Sequence, residues 1–342
     1  MTNLELTYSP YSINLSQPFR TSKGDIEKRK GFIISLKSAS KAEGIGEAAP
    51  LPEFGSESYQ DDENTLKNLR LNIKLDLNNL IPSIEESLSQ FIHLPELRSG
   101  MEQALLNLVC VERKTTLSEL FNKPVAKNIS VNGIIGMVDK EDAVEKANSL
   151  KAGGFRAIKI KVGREIFGDD LEVVSNIRKA VGKNIKLRLD ANGKWDKNAA
   201  ANNLKQLESM DIEYIEQPVS SLEDFMDICN ETSVPLAADE SLRNYADAIN
   251  IIRNNLASVL ILKPMMLGGL TPAMDIIDEA ERNKKKVVIS SSFETSIGRS
   301  IAIFAAGILK EQTAHGLAVA DYFKDTIVSD PFPVNNGIIT IG

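Results

Sequence analysis

Apolar and polar positions divide the chain into two regimes. Residues 4–15, 31–37 and 44–49 alternate with the two-residue period of half-buried strands. Residues 61–72, 84–91 and 96–114 then repeat apolar positions every three to four residues, the period of amphipathic helices. Strands followed by helices predict an α+β layer over residues 1–125. Two of its loops are rich in turn residues, Arg20-Thr21-Ser22-Lys23-Gly24 and Ala49-Pro50-Leu51-Pro52-Glu53-Phe54-Gly55.

Beyond residue 126 short apolar runs alternate with helical stretches of ten to fifteen residues. The runs cover 129–135, 157–162, 185–189, 212–215, 236–238, 258–262, 287–291 and 314–318. Polar residues closing successive runs, Lys161, Asp190, Glu216, Asp239, Lys263 and Ser291, are spaced 29, 26, 23, 24 and 28 apart. A strand, a helix and two loops need about that many residues, so the pattern is a βα repeat. Eight runs predict a closed (β/α)8-like barrel over residues 126–329, because closure leaves no edge strand. An open doubly wound sheet would be favoured by a glycine-rich phosphate loop, and the sequence contains none. The tail, 330–342, is strand-like again and is expected to return to the N-terminal sheet.

Composition narrows the function. With 42% hydrophobic and 25% charged residues the 342-residue chain is an ordinary globular one, and its net charge of -7 argues against nucleic acid as a partner. No apolar stretch reaches the length of a membrane span or a signal peptide. The two cysteines, Cys110 and Cys229, form no disulfide framework and read as buried thiols in a reducing cytoplasm.

Candidate chemistry lies at the C-terminal ends of the barrel runs, where barrels of this kind carry their working groups. In Ala157-Ile158-Lys159-Ile160-Lys161-Val162 the alternation puts both lysines on one strand face, where they repel each other and call for anions. Later runs supply these as Asp190 with Asn192, Glu216 with Gln217, and Asp239 with Glu240, and then add Lys263. Three carboxylates on neighbouring strands suit a hard cation such as Mg2+ that keeps open positions for substrate. Singly, each carboxylate would read as a helix cap or a solvated loop residue; together, at repeat spacing and between lysines, they read as ligands. The only histidines are His93, in a helix of the N-terminal unit, and His315, which reads as structural, so zinc is disfavoured.

Lys-x-Lys, Asp-Ala-Asn, Glu-Gln-Pro, Ala-Asp-Glu-Ser and Lys-Pro at these intervals resemble the enolase superfamily in its muconate lactonising branch, over essentially the whole chain. The resemblance implies a modified TIM barrel with an N-terminal α+β capping domain. It implies Asp190, Glu216 and Asp239 as ligands of Mg2+, with Mn2+ able to substitute, and Asn192 and Glu240 as groups orienting them. Lys161 would be the general base, Lys159 its electrostatic partner, and Lys263 a cation on the opposite face. Ser290-Ser291-Ser292-Phe293-Glu294 and His315-Gly316-Leu317 are similar to segments of the o-succinylbenzoate synthases and of the N-succinylamino acid racemases. The first likeness implies Mg2+-dependent loss of water from 2-succinyl-6-hydroxy-2,4-cyclohexadiene-1-carboxylate in menaquinone biosynthesis; the second implies racemisation. Either way the partner is a small carboxylate, and monomer and homo-oligomer both stay open. Ser290, Ser291 and Ser292 could hold a substrate carboxylate at a helix start, or cap that helix with Glu294. Arg20 and Lys23 lie in a loop that closes over substrate in this superfamily, or is simply solvated.

Overall fold

The computed structural model describes residues 4–21, 24–71 and 73–341; Lys23 and the side chain of Arg20 lie outside what it describes. The N-terminal unit is an antiparallel sheet of β1 (Glu5–Thr21), β2 (Gly24–Lys37) and β3 (Glu43–Ala48), with α1 (Tyr59–Asn68), α2 (Leu80–Leu88), α3 (Pro95–Arg113) and α4 (Leu117–Phe121). β1 and β2 form a hairpin longer than the alternation predicts, running from Glu5↔Lys37 to Thr21↔Gly24. Phe32, Ile34 and Leu36 turn one face of β2 into the core, and α3 lies across the sheet. The approach is close enough that a Cβ on Gly46 would overlap the Gly100 carbonyl, which explains the glycines of β3.

The second unit runs β4 (Asn128–Ser130), β5 (Gly133–Ile135), α5 (Lys140–Ala152), β6 (Ala157–Lys161), α6 (Phe167–Val181), β7 (Lys186–Asp190), α7 (Lys197–Leu207), β8 (Ile212–Glu216), α8 (Leu222–Ile228) and β9 (Leu236–Ala238). It continues with α9 (Tyr245–Arg253), β10 (Val259–Leu262), α10 (Leu270–Arg282), β11 (Lys286–Ile289), α11 (Ser296–Gly307), β12 (Val334–Asn335) and β13 (Ile338–Thr340). Strands β5 to β11 form one sheet in sequence order, every pair parallel. His315 and Gly316 join its two ends: His315 N–H donates to the Ser130 carbonyl at 2.8 Å and Gly316 N–H to that of Ile289 at 2.8 Å. The eighth predicted run is therefore present as this short closing segment. Tyr214, Ala237, Val259, Ile261 and Val288 fill the barrel interior, while the opposite strand faces pack under the helices.

The run at 129–135 splits where the chain changes partners: β4 pairs antiparallel with β13, and β5 enters the barrel. The tail thus does not return to the N-terminal sheet; its strands pair with each other and with β4. Strand pattern alone cannot choose between two edges that both lack a partner. The cysteines are free and half-buried rather than buried, and His93 is exposed.

Most barrel helices carry their own N-caps, including Asp139, Asp196, Ser221, Asn244 and Thr295. α10 begins at Gly269 with no side-chain cap. Glu102 of α3 fills that role, accepting the Leu270 N–H and, at 3.2 Å, that of Thr271. Glu47 of β3 reaches the start of α11 in the same way, accepting Thr295 N–H at 2.9 Å and Gly298 N–H at 2.8 Å. Two barrel helices are thus capped by carboxylates from the other layer, so docking of the layers and order of the helix starts are one event.

Candidate active site

A cavity of about 310 Å3 opens at the C-terminal ends of the barrel strands, beneath the cap loop that carries Phe54. Lys159, Lys161, Asp190, Asp239, Glu240 and Lys263 line it. Cross-strand register sets Lys161, Asp190 and Glu216 side by side, because β6, β7 and β8 pair Lys161↔Asp190 and Asp190↔Glu216. Asp239 follows the end of β9. Asp190, Glu216 and Asp239 are 0%, 1% and 6% exposed, a burial that a charged carboxylate reaches only with partners.

Those partners are the lysines. Lys161 Nζ donates to Asp190 Oδ2 and to Asn192 Oδ1, both at 2.7 Å. Lys159 Nζ stands 3.0 Å from Asp190 Oδ2 and 3.0 Å from Glu216 Oε1. Lys263 Nζ lies 2.6 and 2.7 Å from the two oxygens of Asp239. Asn192 completes a chain by donating to Glu240 Oε1 at 2.8 Å. Lys159, Lys161, Asp190, Asn192, Glu216 and Glu240 are therefore brought into one network, with the Lys263–Asp239 pair beside it.

The field is strongly polarised. Burial works against the charge of Asp190, but Lys159 and Lys161 outweigh it and hold its carboxyl below the usual range. Glu216 moves the other way, pushed well up by burial and then by the charge of Asp190. Burial likewise opposes the charge on Lys159 and Lys263, yet Asp190 and Glu216 keep the first, and Asp239 the second, above the ordinary ammonium value. Four carboxyl groups, Asp190, Glu216, Asp239 and Glu240, face three ammonium groups, and burial with the neighbouring carboxylates raises Glu216 and Glu240.

The backbone is strained at the same rim. Asn192, Gln217 and Phe293 have φ of 47°, 42° and 60°, a region that side-chain-bearing residues rarely enter. Gln217 repays its strain with position: its Oε1 accepts Asp239 N–H at 3.1 Å and Ser241 N–H at 3.2 Å, fixing the next strand end. As arranged, no three His, Cys, Asp or Glu side chains among the described residues stand close enough to share a metal ion. Ammonium nitrogens bridge the carboxylates instead. The donor set nevertheless fits a hard divalent ion: buried oxygens only, on adjacent strand ends, with Asp190 still raising Glu216 although Lys159 stands between them.

The serine run behaves differently from the expectation that it holds a substrate carboxylate. Ser290 and Ser291 line the cavity, whereas Ser292 and Glu294 do not. Glu294 Oε2 accepts from Ser291 Oγ at 2.9 Å, Ser292 N–H at 2.6 Å and Ser292 Oγ at 3.0 Å, so these donors are spent within the loop. The helix itself starts later, at Thr295, where Glu47 already occupies the anion position. Arg29, buried, ties the same loop to the cap, donating to the Phe293 carbonyl at 2.9 Å and the Pro50 carbonyl at 2.8 Å. His315 is buried and pushed down to about 3 by burial and Arg188. It stays neutral, and its Nδ1 accepts the Ile289 N–H at 3.0 Å, so its place is structural.

Sequence pattern did not reveal the aromatic side of the cavity. Phe293 stacks near Phe19, with ring centres 4.4 Å apart, and meets Tyr322 and Phe54 edge-on at 5.5 and 6.1 Å. Phe54 also lies 5.1 Å from Lys263 Nζ, over the ring face. The turn residues around Phe54 signalled a loop; nothing local signalled its target.

A family model described as enolase C-terminal domain-like matches residues 142–342. The chain belongs to the enolase superfamily. A second model, the MenC N-terminal domain, matches residues 5–92, and superfamily members similar to this one carry several activities. It is 30% identical over 221 residues to an o-succinylbenzoate synthase of Thermobifida fusca, spanning 64% of this chain and 68% of that one. It is 25% identical over 297 residues to an N-succinyl-L-Arg/Lys racemase of Bacillus cereus, with 85% and 80% covered. The chloroplastic PHYLLO protein of Arabidopsis thaliana is 29% identical over 331 residues, 89% of this chain, which spans only 19% of PHYLLO. In fold the chain matches the L-Ala-D/L-Glu epimerase of Bacillus subtilis with a TM-score of 0.91 at 22% identity, over 100% of this chain and 97% of that one. No helix among the described residues is long and apolar enough to cross a membrane.

Proposed function

We propose that this enolase-superfamily enzyme is an o-succinylbenzoate synthase, a Mg2+-dependent lyase that dehydrates 2-succinyl-6-hydroxy-2,4-cyclohexadiene-1-carboxylate to o-succinylbenzoate. The observation that carries the reading is Lys161, whose Nζ faces the cavity 2.7 Å from both Asp190 and Asn192. A carbon acid beside a carboxylate is hard to deprotonate because charge gathers on the carboxylate oxygens as the proton leaves. Lys161 is the group to take that proton once neutral, and the same ammonium can return it to the departing hydroxyl on one face. Lys263, held by Asp239 across the cavity, supplies a fixed positive charge to the growing anion. Asp190, Glu216 and Asp239 would hold the Mg2+, with Asn192 and Glu240 orienting them. A bound Mg2+ supplies two positive charges here, as counter-charge to the ligands and against the substrate carboxylate. The aromatic wall of Phe19, Phe54 and Phe293 shields the reacting ring from water. The match to the MenC N-terminal domain and the synthase relatives support this choice.

Racemisation of an N-succinylamino acid is the second reading, favoured by lysines on two sides of one cavity and by the racemase relative. Two assays separate them. The synthase predicts fast, EDTA-sensitive loss of the cyclohexadiene absorbance; the racemase predicts exchange of the α-proton of an N-succinylamino acid in deuterated water with loss of optical rotation. Absence of the first with folded, Mg2+-loaded protein rejects the synthase, and the second then decides. A cytoplasmic location follows from the same reading, since its substrate is an intracellular intermediate.

A further inference from the structure

The charges on the cavity floor are committed to one another, as the distances above show. A substrate carrying a second carboxylate needs another cation, and the rim supplies one. Arg243 lines the cavity in the loop after β9, four residues past Asp239. Its stem is held: the backbone N–H donates to Asp247 Oδ2 at 3.1 Å and Nε donates to the Glu240 carbonyl at 3.1 Å. Its guanidinium lies flat beside Gly55 of the cap loop, since a Cβ placed there would meet NH2, Cζ and NH1 at 3.6, 3.7 and 3.8 Å. Among the described residues, no carbonyl or carboxylate accepts from NH1 or NH2. Buried Arg29, Arg98, Arg188 and Arg299 contrast with it, for they donate their terminal nitrogens to protein oxygens. Glu53 of the cap loop shares the rim, so an anion that settles there has to sit on the guanidinium fork itself.

We propose that Arg243 reads the second carboxylate of the substrate, the far end of a succinyl arm whose other end joins the part of the substrate that reacts on the cavity floor. The proposal rests on the function proposed above, and both of its readings, the synthase and the racemase, require a succinyl arm. A planar fork anchored at Nε and free at both terminal nitrogens matches a carboxylate with two parallel bonds. The guanidinium lies beside Gly55, so a seated succinyl end rests against the cap loop. Arg243 is a specificity-determining residue and takes no part in proton transfer.

The test measures binding of o-succinylbenzoate, and of its analogue with the succinyl carboxylate converted to carboxamide, to Mg2+-loaded wild type, Arg243→Gln and Arg243→Lys. Wild type should prefer the diacid by about 10- to 100-fold, the factor a charge-assisted pair provides. Arg243→Gln should bind the diacid as weakly as wild type binds the amide and lose the preference; Arg243→Lys should recover part of the preference. A wild-type preference that survives in Arg243→Gln overturns the proposal while leaving the synthase reading intact. If wild type binds neither compound, the synthase reading fails, and the same comparison is made with N-succinyl- and N-acetylphenylalanine. No preference for the succinyl compound there overturns the Arg243 proposal, and a preference abolished in Arg243→Gln sustains it.

Discussion

The molecule buries two groups of carboxylates and treats them oppositely. At the barrel mouth, Asp190, Glu216 and Asp239 each have an ammonium nitrogen within 3.0 Å. In the cap, among the described residues, Glu57, Asp62 and Glu96 have no ion-pair partner, and Glu57 Oε2 and both oxygens of Asp62 and of Glu96 are buried without any hydrogen-bond partner. Glu57 still does structural work, because its Oε1 accepts Glu96 N–H at 2.7 Å and Leu97 N–H at 3.0 Å and so caps α3. Burial, then the charge of Glu57, pushes Asp62 up to about 9, and burial raises Glu96 well above the carboxylate range. In the first group Lys159 and Lys161 hold Asp190 charged, while Glu216 is pushed up by burial and by Asp190 despite the ammonium beside it. The second is satisfied by bound protons. A buried acid thus marks chemistry when cations answer it, and of these two groups the barrel group is the one that meets that condition.

Replacing an acid by its amide in each group should have opposite consequences. Asp190→Asn leaves Lys159 and Lys161 buried around a neutral amide, and should cost about 3–5 kcal/mol of stability, read by chemical denaturation, together with Mg2+ affinity read by calorimetry. Asp62→Asn replaces a protonated acid by its neutral isostere, and should raise stability at pH 8 by about 1–3 kcal/mol. The sign follows from the raised value: between the ordinary carboxyl range and about 9 the folded protein holds a proton that the unfolded chain has lost, so stability falls as pH rises through that window. The gain from Asp62→Asn should therefore shrink toward zero near pH 4. Melting curves at pH 4.5, 6.5 and 8.5 check this; an advantage independent of pH would mean that Asp62 is ionised in the fold. Smallest of the three, Glu57→Gln keeps one acceptor for the start of α3 and should cost about 1 kcal/mol.

The same contrast shows what a sequence reveals. The barrel carboxylates were legible because they recur at the βα spacing, close their strands, and are flanked by Lys159, Lys161 and Lys263; period and chemistry pointed to one place. The cap acids have neither signal, since Asp62 sits in the first turn of a helix where acids are ordinary. The fold was legible to the same extent as its repeat: seven parallel strands and their helices follow the pattern, while the tail, paired with β4 rather than the N-terminal sheet, depended on which edge lay within reach. Ser292 was drawn to the substrate by its position after β11, but Glu294 satisfies its donors. Phe54, Arg29 and Arg243 act across the two layers, and long-range contacts of that kind leave no local period.

The central claim is that Lys161 removes the substrate proton. The most direct measurement is the rate of that proton loss in Mg2+-loaded Lys161→Ala, followed as substrate disappearance or deuterium exchange, with and without added methylamine. A fall of about 10^2- to 10^4-fold with unchanged Mg2+ affinity, partly restored by the amine, is the predicted result. A mutant rate within tenfold of wild type would contradict the assignment and move the base elsewhere in the cavity.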